Sequence, residues 1–169
     1  MHTIFLTTGL LLLAISSRVF AQQETAIKLP ERGPVVTLTE HGPEEVAVRT
    51  TITHFFEGMN KSDTMLIKST LMAGMRLQAV ANKQGQVSVK EDDISKFIAS
   101  VGRAKPGSLD ERLGAYDVKI DGDLATAFTP YQFWYNGQQS HCGANAFTLV
   151  RVDGAWKVQT IIDTRRKCN

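Results

Sequence analysis

The sequence predicts an α+β domain in which helices cover one face of a curved antiparallel sheet. Apolar residues recur at helical spacing in two segments that precede the main strands, 44–60 and 90–101. The second half contains four β-rich runs, 112–120, 124–135, 139–151 and 155–166, joined by the turn sequences Asp121-Gly122-Asp123, Asn136-Gly137 and Asp153-Gly154. Helices followed by hairpin-connected strands are typical of the α+β class.

Length and composition favour one ordinary domain and exclude several functions. The 169 residues are 43% hydrophobic and 21% charged, and 19 basic against 17 acidic residues leave a net charge of +2. So small an excess excludes electrostatic capture of nucleic acid or of an anionic membrane as the main function. The chain is too short for a dinucleotide-binding domain plus a substrate domain, and it has neither a Cys-x-x-Cys motif nor a His/Cys cluster at zinc spacing. We therefore expect no cofactor and no metal.

The first 21 residues have the pattern of a cleaved signal peptide. Segment 4–15 is almost purely apolar, and Val19-Phe20-Ala21 offers small residues before a cleavage point after Ala21. The apolar run is shorter than the roughly 20 residues of a membrane-spanning helix. A short membrane anchor is the alternative, because the amino-terminal region holds few positive charges. The sequence thus predicts an exported protein, periplasmic or secreted, with no membrane partner.

The mature chain is expected to consist of a flexible arm, 22–43, and a single domain, 44–169. Three prolines (Pro30, Pro34 and Pro43) lie among the charged residues of the arm, and a short strand is expected at 35–38. No internal repeat of the solenoid type is evident. The folded part therefore begins close to the first helical segment.

Three helices are expected before the main strands. The apolar stripe of the first, 44–60, consists of Val48, Ile52, Phe55, Phe56 and Met59. His54 lies away from that stripe and should face solvent. Ser62 or Asp63 caps a short second helix that reaches about Met72, and a strand follows at 75–80. The third helix spans 90–101, with Gly102 as its stop.

Two motifs resemble those of a known superfamily. They are Phe55-Phe56-Glu57-Gly58-Met59-Asn60-Lys61-Ser62-Asp63 and Val152-Asp153-Gly154-Ala155-Trp156-Lys157-Val158. With the order of elements, they resemble the nuclear-transport-factor-2-like superfamily, and within it the exported bacterial branch labelled lumazine-binding or SnoaL-like. The resemblance covers about residues 44–166. It implies a cone-shaped barrel of a curved antiparallel sheet with helices packed on its concave face, a pocket between them, and often a dimer. It names no substrate, because this fold hosts enzymes, binding proteins and scaffolds.

The hairpin turns predict which strand residues face that pocket. Uninterrupted pairing sets Phe147 opposite Thr160 and Gln132 opposite His141. At one end of the sheet this register gathers five side chains on the inner face, and we predict that they bind the ligand: Gln132, Trp134, His141, Asn145 and Arg166. His141 is the candidate general acid or base, and Arg166 would hold an anionic oxygen. The alternative is structural, with His141 and Asn145 bonded to backbone groups and Arg166 in a solvated tail.

A β-bulge would change these faces. Pro130 cannot donate to a sheet and Gly143 often marks an irregularity, so either could shift the register by one residue. Tyr131, Tyr135 and Asp163 would then replace part of the predicted site.

The unshifted register also leaves an aromatic row on the outer face of the sheet. It buries Leu124 and Phe128 and exposes Tyr131, Phe133 and Tyr135. A monomer would leave these rings in water, so we expect a homodimer, as the resemblance also implies.

Cys142 and Cys168 are the only cysteines, and an exported chain can keep them as one disulfide. Unbroken pairing sets Cys142 opposite Arg165, and Cys168, three residues further on, would then point to the opposite face of the sheet. The bridge therefore requires a bulge or a tail that turns back.

The sequence is compatible with three functions. The first is an exported protein that binds a small aromatic or apolar ligand in an enclosed apolar pocket. The second is an enzyme of the SnoaL or ketosteroid-isomerase type that uses a histidine base, although Asp117 and Asp163 fall on the opposite face from His141. The third is a non-catalytic dimeric interaction module. An open cavity with His141 paired to a carboxylate favours the enzyme, an open cavity without that partner favours the binder, and a filled one favours the module.

Overall fold

The structure is a computed structural model that describes residues 42–168. The predicted signal peptide, the arm as far as residue 41 and the strand expected at 35–38 lie outside the described residues. The described chain has this order of elements: α1 Pro43–Lys61, α2 Thr64–Thr70, β1 Leu71–Lys83, β2 Gln86–Asp92, α3 Ile94–Arg103, β3 Leu109–Leu113, β4 Asp117–Asp121, β5 Leu124–Tyr135, β6 Gln138–Val152 and β7 Ala155–Arg166.

The first two helices agree with the sequence. The whole predicted stripe of α1 is buried, and His54 is exposed. Asp63 caps α2, because its carboxylate accepts hydrogen bonds from the backbone N–H groups of Met65 and Leu66 at 3.0 and 2.9 Å. Both helices therefore follow from local chemistry, the long α1 from its apolar period and the short α2 from its cap.

The third helix differs from its prediction at both ends. Residues 90–92 belong to β2, and α3 begins at Ile94 after the capping residue Asp93. Gly102 is not a stop, since the helix continues to Arg103. A Cβ at Gly102 would lie 3.0 Å from Cγ2 of Thr64 in α2. The glycine thus allows a close approach of two helices.

The sheet is larger than the four-stranded meander that the sequence predicted. It has seven strands in the order β2-β1-β7-β6-β5-β3, with β4 also paired to β5. The run predicted at 112–120 is divided into β3 and β4, which pair with the two ends of β5. β1 lies parallel to β7 and joins the β1–β2 hairpin to the meander. No helix within residues 42–168 is long and apolar enough to cross a membrane.

Two β-bulges overturn the uninterrupted register. Both hairpins begin as predicted, with Trp134 opposite Gln139 and Arg151 opposite Trp156. Ser140 is then an extra residue in β6, so that Gln132 pairs with Cys142 and not with His141. Gln159 is an extra residue in β7, so that Thr160 pairs with Thr148 and not with Phe147. The suspected residues Pro130 and Gly143 pair in regular register with Ala144 and Tyr131.

The bulges reverse the faces of β5 and of the second half of β7. Ala125, Ala127 and Tyr131 face the core, at 0%, 3% and 4% exposure. Leu124 and Phe128, which were expected in the core, are 48% and 51% exposed. The predicted outer row of Tyr131, Phe133 and Tyr135 is therefore wrong, because Tyr131 is buried and Phe133 packs against the core. α1 and α3 cover the concave face through the buried residues of the core.

The disulfide between Cys142 and Cys168 is present, with the two Cα atoms 5.1 Å apart. The bulge at Gln159 in β7 is the feature that permits it. Because Cys142 lies opposite Arg166, and not Arg165, Cys168 is only two residues beyond its partner position. The tail therefore reaches β6 on the same face of the sheet.

Candidate functional site

The candidate site is a pair of adjoining cavities between the helices and the concave face of the sheet. Their volumes are about 170 and 90 Å³. Both are lined by Met59 of α1, Phe97 of α3, Glu111 of β3, and Asp163 and Arg165 of β7. Aromatic walls with a few convergent polar groups are the usual form of a small-molecule site.

The aromatic wall is built by the two helices that the apolar period predicted. The rings of Phe55 in α1 and Phe97 in α3 stack with centroids 5.9 Å apart, and Phe56 meets Phe55 edge-on at 5.1 Å. Phe133 of β5 lines the opposite side of the larger cavity. The cavities are thus apolar except where strand residues place polar groups in them.

Glu111 places a carboxyl group in both cavities. The amide Nδ2 of Asn145, which is 3% exposed, donates to Glu111 Oε1 at 2.7 Å. Burial raises the pKa of Glu111 from its usual 4.5 to about 7, and the negative charge of Asp163 acts in the same direction. The Asn145 hydrogen bond and the Arg165 charge oppose this rise without cancelling it. Glu111 can therefore exchange a proton near neutral pH.

Glu111 also lines a third cavity of about 400 Å³ between α1 and β3, together with Glu57 and Tyr116. It is therefore the carboxyl shared by that groove and the two inner cavities.

A second polar group surrounds Asp163. The Tyr131 hydroxyl donates to Asp163 Oδ2 at 3.2 Å and to the backbone oxygen of Thr164 at 2.9 Å. Arg165 Nε donates to the same Asp163 Oδ2 at 2.8 Å. Burial and the neighbouring carboxylates raise the pKa of Tyr131, so this hydroxyl stays protonated as a donor.

His141 lies at the rim of the larger cavity, between two aromatic rings. Its ring centroid is 5.1 Å from that of Phe133 and 5.8 Å from that of Tyr131. Its Nδ1 is 3.1 Å from the Ser140 hydroxyl, and its side chain forms no ion pair with a carboxylate in the described chain. Burial first, and then the Arg165 charge, lower the pKa of His141. The imidazole is therefore neutral at physiological pH.

The five residues predicted to share the pocket do not lie together. His141 lines the larger cavity and Asn145 the smaller one. Gln132 and Arg166 line a groove of about 430 Å³ on the outer face beside the disulfide. Trp134 also lies on that face, with the guanidinium carbon of Arg112 4.2 Å from its ring centroid. The prediction that Gln132, Trp134 and Arg166 share a face with His141 is wrong. The bulge at Ser140 shifts the pairing of β5 by one residue, and the bulge at Gln159 shifts the pairing of β7 in the same way.

Four polar residues of the site were not in the predicted set: Glu111, Tyr131, Asp163 and Arg165. Tyr131 and Asp163 had been named as the residues that a register shift would bring inward, and the shift occurs. Asp163 consequently lies on the same side as His141, contrary to the expectation from unbroken pairing. The sequence could have indicated that Glu111 faces inward, because Leu109, Glu111 and Leu113 alternate with polar residues and the two leucines pack on the core.

Within residues 42–168, no group of three or more His, Cys, Asp or Glu side chains is arranged to hold a metal ion. The polar side chains of the cavities bond to one another: Asn145 donates to Glu111, and Tyr131 and Arg165 both donate to Asp163.

No family model matches the chain, and no curated protein matches its sequence. Solved structures do match. A nuclear-transport-factor-2-like protein of unknown function from Shewanella baltica OS155 aligns with 77% of this chain and 99% of its own, at 15% identity and a TM-score of 0.58. A protein from Novosphingobium aromaticivorans DSM 12444, provisionally named a scytalone dehydratase, aligns with 73% of this chain and 84% of its own, at 13% identity and a TM-score of 0.57.

A protein from Shewanella frigidimarina NCIMB 400, provisionally named a ketosteroid isomerase, aligns with 69% of this chain and 94% of its own. The identity is 15% and the TM-score 0.52. Identities this low establish the architecture and not the activity. The described chain has the nuclear-transport-factor-2-like fold.

Proposed function

We propose that this protein binds a small molecule, of about single-ring size, in the cavities between its helices and the concave face of the sheet. The observation that supports this most directly is the 170 Å³ cavity, which has aromatic walls and the polar side chains of Glu111, Tyr131, His141 and Asp163. A dry cavity of about 150 Å³ is large enough for benzene. A ring with one or two small substituents is therefore the expected size of ligand, and lumazine-like heterocycles are one class within the proposal.

The test is native mass spectrometry of the protein purified from its own host. We expect a retained small molecule that is lost when Leu109→Trp fills the larger cavity, which Leu109 lines. Leu124→Trp is the matched control, because Leu124 is 48% exposed on the outer face. A wild-type protein that is empty, or a ligand equally retained by both variants, contradicts the proposal.

Proton transfer is a second candidate function, and Glu111 favours it. A buried carboxyl that titrates at about pH 7 is suited to abstract or return a proton at neutral pH. Asn145 orients it, and Arg165 and the Tyr131 hydroxyl lie on the same cavities to stabilise developing negative charge. His141 is a weaker base in this arrangement, because its pKa is lowered and no carboxylate orients it.

A generic probe separates this enzyme from a passive binder. 5-Nitrobenzisoxazole opens to 2-cyano-4-nitrophenolate when a base removes the proton on C3 and the N–O bond breaks, and the reaction needs no cofactor. An enzyme should accelerate the reaction with a kcat/KM that rises through a pKa of about 7, and Glu111→Gln should lower the rate by about 100-fold or more. His141→Gln should have a much smaller effect. A rate that does not exceed that of Glu111→Gln favours binding alone.

We also propose that the protein acts outside the cytoplasm, where a disulfide persists. The Cys142–Cys168 bridge and the leader pattern of residues 1–21 support this location. Amino-terminal sequencing of the protein from its host should begin at Gln22. A terminus at Met1 would contradict cleavage.

A further inference from the structure

One acceptor in the cavities has no donor. Three buried side-chain atoms in the described chain lack a hydrogen-bond partner, and they belong to Thr129, Trp134 and Asp163. Of these residues only Asp163 lines the cavities. Its Oδ2 receives both Tyr131 and Arg165, whereas its buried Oδ1 receives no donor. Asp163 is 9% exposed, and a buried acceptor that is left without a donor is costly.

The charge of the lining favours a donor that is also a cation. Three carboxyl residues line the smaller cavity, Asp92, Glu111 and Asp163, against the single guanidinium of Arg165. Asp92 is ion-paired with Lys90, and Asp163 already holds Arg165 through one oxygen. His141 and Tyr131, the other titratable groups at the cavities, carry no charge in their ordinary states here. Glu111 is therefore the one carboxyl residue of the smaller cavity without an ion pair in the described chain, and Asp163 keeps one oxygen without a donor.

We propose that the ligand is a small ring compound bearing a protonated amine, with its ammonium group between Asp163 and Glu111 and its ring against Phe97 and Phe133. The inference rests on the proposed binding function and specifies the class of ligand. An ammonium supplies the donor that Asp163 Oδ1 lacks and the positive charge that the lining lacks. The neighbouring aromatic faces also attract a cation directly.

Three probes with one ring and different heads test this inference: benzylamine, benzyl alcohol and benzoate. Each is titrated into the full mature protein, with binding followed by calorimetry and by the methyl resonance of Met59, which lines both cavities. We expect benzylamine to bind at least about 10-fold more tightly than benzyl alcohol, and benzoate to bind most weakly. Equal affinity of the amine and the alcohol overturns the inference, and so does tightest binding of benzoate, which would indicate recognition by Arg165.

Single substitutions of the two carboxyl residues test where the ammonium group binds. Asp163→Asn should weaken the binding of benzylamine by at least about 10-fold and leave the affinity for benzyl alcohol nearly unchanged. Asp117→Asn makes the same substitution on exposed strand β4 and should change neither affinity. If circular dichroism shows that Asp163→Asn does not fold, Glu111→Gln must show the same selective loss. Unchanged benzylamine affinity in the folded variants overturns the ammonium site, and no binding of any probe contradicts the proposed binding function itself.

Discussion

Glu111 shows how a single buried residue links the pocket to the stability of the fold. The folded protein raises its pKa to about 7, whereas the unfolded chain returns it to its usual value of 4.5. Between these two pH values the folded state binds a proton that the unfolded state releases. Its contribution to stability is therefore complete below about pH 4.5 and is lost as the pH rises through about 7.

Glu111→Gln should remove this pH dependence. The amide oxygen of glutamine still accepts the hydrogen bond from Asn145, but the side chain cannot ionise. At pH 8 the variant should be more stable than wild type by about 3 kcal/mol, and the difference should disappear near pH 4.5. Urea unfolding at pH 4.5, 6 and 8 measures it. Glu57→Gln is the control, since the side chain of Glu57 is partly exposed and bonded to Lys61, and its pKa shifts the other way.

A variant whose stability follows wild type at every pH would show that Glu111 is already ionised in the folded state. A glutamate between two core-facing leucines is visible in the sequence, but its pKa is raised first by burial in the folded protein, and then modified by Asn145 and Asp163 on strands β6 and β7.

At the scale of elements, strand β6 controls the geometry of the site. Its extra residue Ser140 turns Tyr131 inward, and its Gly143 leaves room for the ring. A Cβ at Gly143 would lie 1.9 Å from the backbone oxygen of Thr164 and 2.6 Å from Cε1 of Tyr131. The absence of a side chain at Gly143 therefore lets β7 and the Tyr131 ring pack on β6.

Gly143→Ala should disrupt this packing. One of the two clashes is with backbone, which cannot rotate away, so we expect a loss of about 3 kcal/mol in the free energy of unfolding. Thermal and urea unfolding measure the loss. Gly42→Ala is the matched control, because nothing lies within 4 Å of a Cβ there, and it should cost about 1 kcal/mol or less as a cap residue. Equal losses in the two variants would contradict the close contact.

Some elements of the fold are determined by local sequence, and others are not. The stripe of α1 and the hairpin turns were predictable because they depend on neighbours in the chain. Asn136, Gly137, Asp153 and Gly154 all have positive φ values, between 51° and 77°, which two-residue hairpin turns require. Ser140 and Gln159 have no comparable signature. A bulge there is decided by how several strands pack together.

For the whole molecule, the disulfide ties the tail after β7 to strand β6. It joins residues 26 apart in the sequence, and closing a loop of that length in the unfolded chain corresponds to about 3 kcal/mol of stability. Reduction of the wild-type protein should therefore lower its melting temperature. The Cys142→Ser/Cys168→Ser variant should melt at the reduced value and not respond to reductant. Identical melting with and without reductant would contradict a bridge in the protein.

The homodimer remains our proposal, with a surface different from the one first expected. Tyr131 and Phe133 face inward, and the exposed apolar residues on the outer face of β5 are Leu124 and Phe128. Phe128→Ser should convert a dimer into a monomer in size-exclusion chromatography with light scattering. Val87→Ser is the control, because Val87 is 63% exposed on the edge strand β2. A wild-type monomer at micromolar concentration would contradict the proposal.

The sequence by itself determined the fold class, the positions of α1 and the hairpins, and the one possible disulfide pair. Each of these depends on local periodicity, on turn chemistry or on a residue count. Only the tertiary structure decided which side chains meet in the cavities. An extra residue at Ser140 or Gln159 reverses a strand's faces without changing its composition or its alternation. Tyr131, Asp163 and Arg165 therefore replaced Gln132, Trp134 and Arg166 in the site, because facing depends on pairing between strands that are distant in the chain.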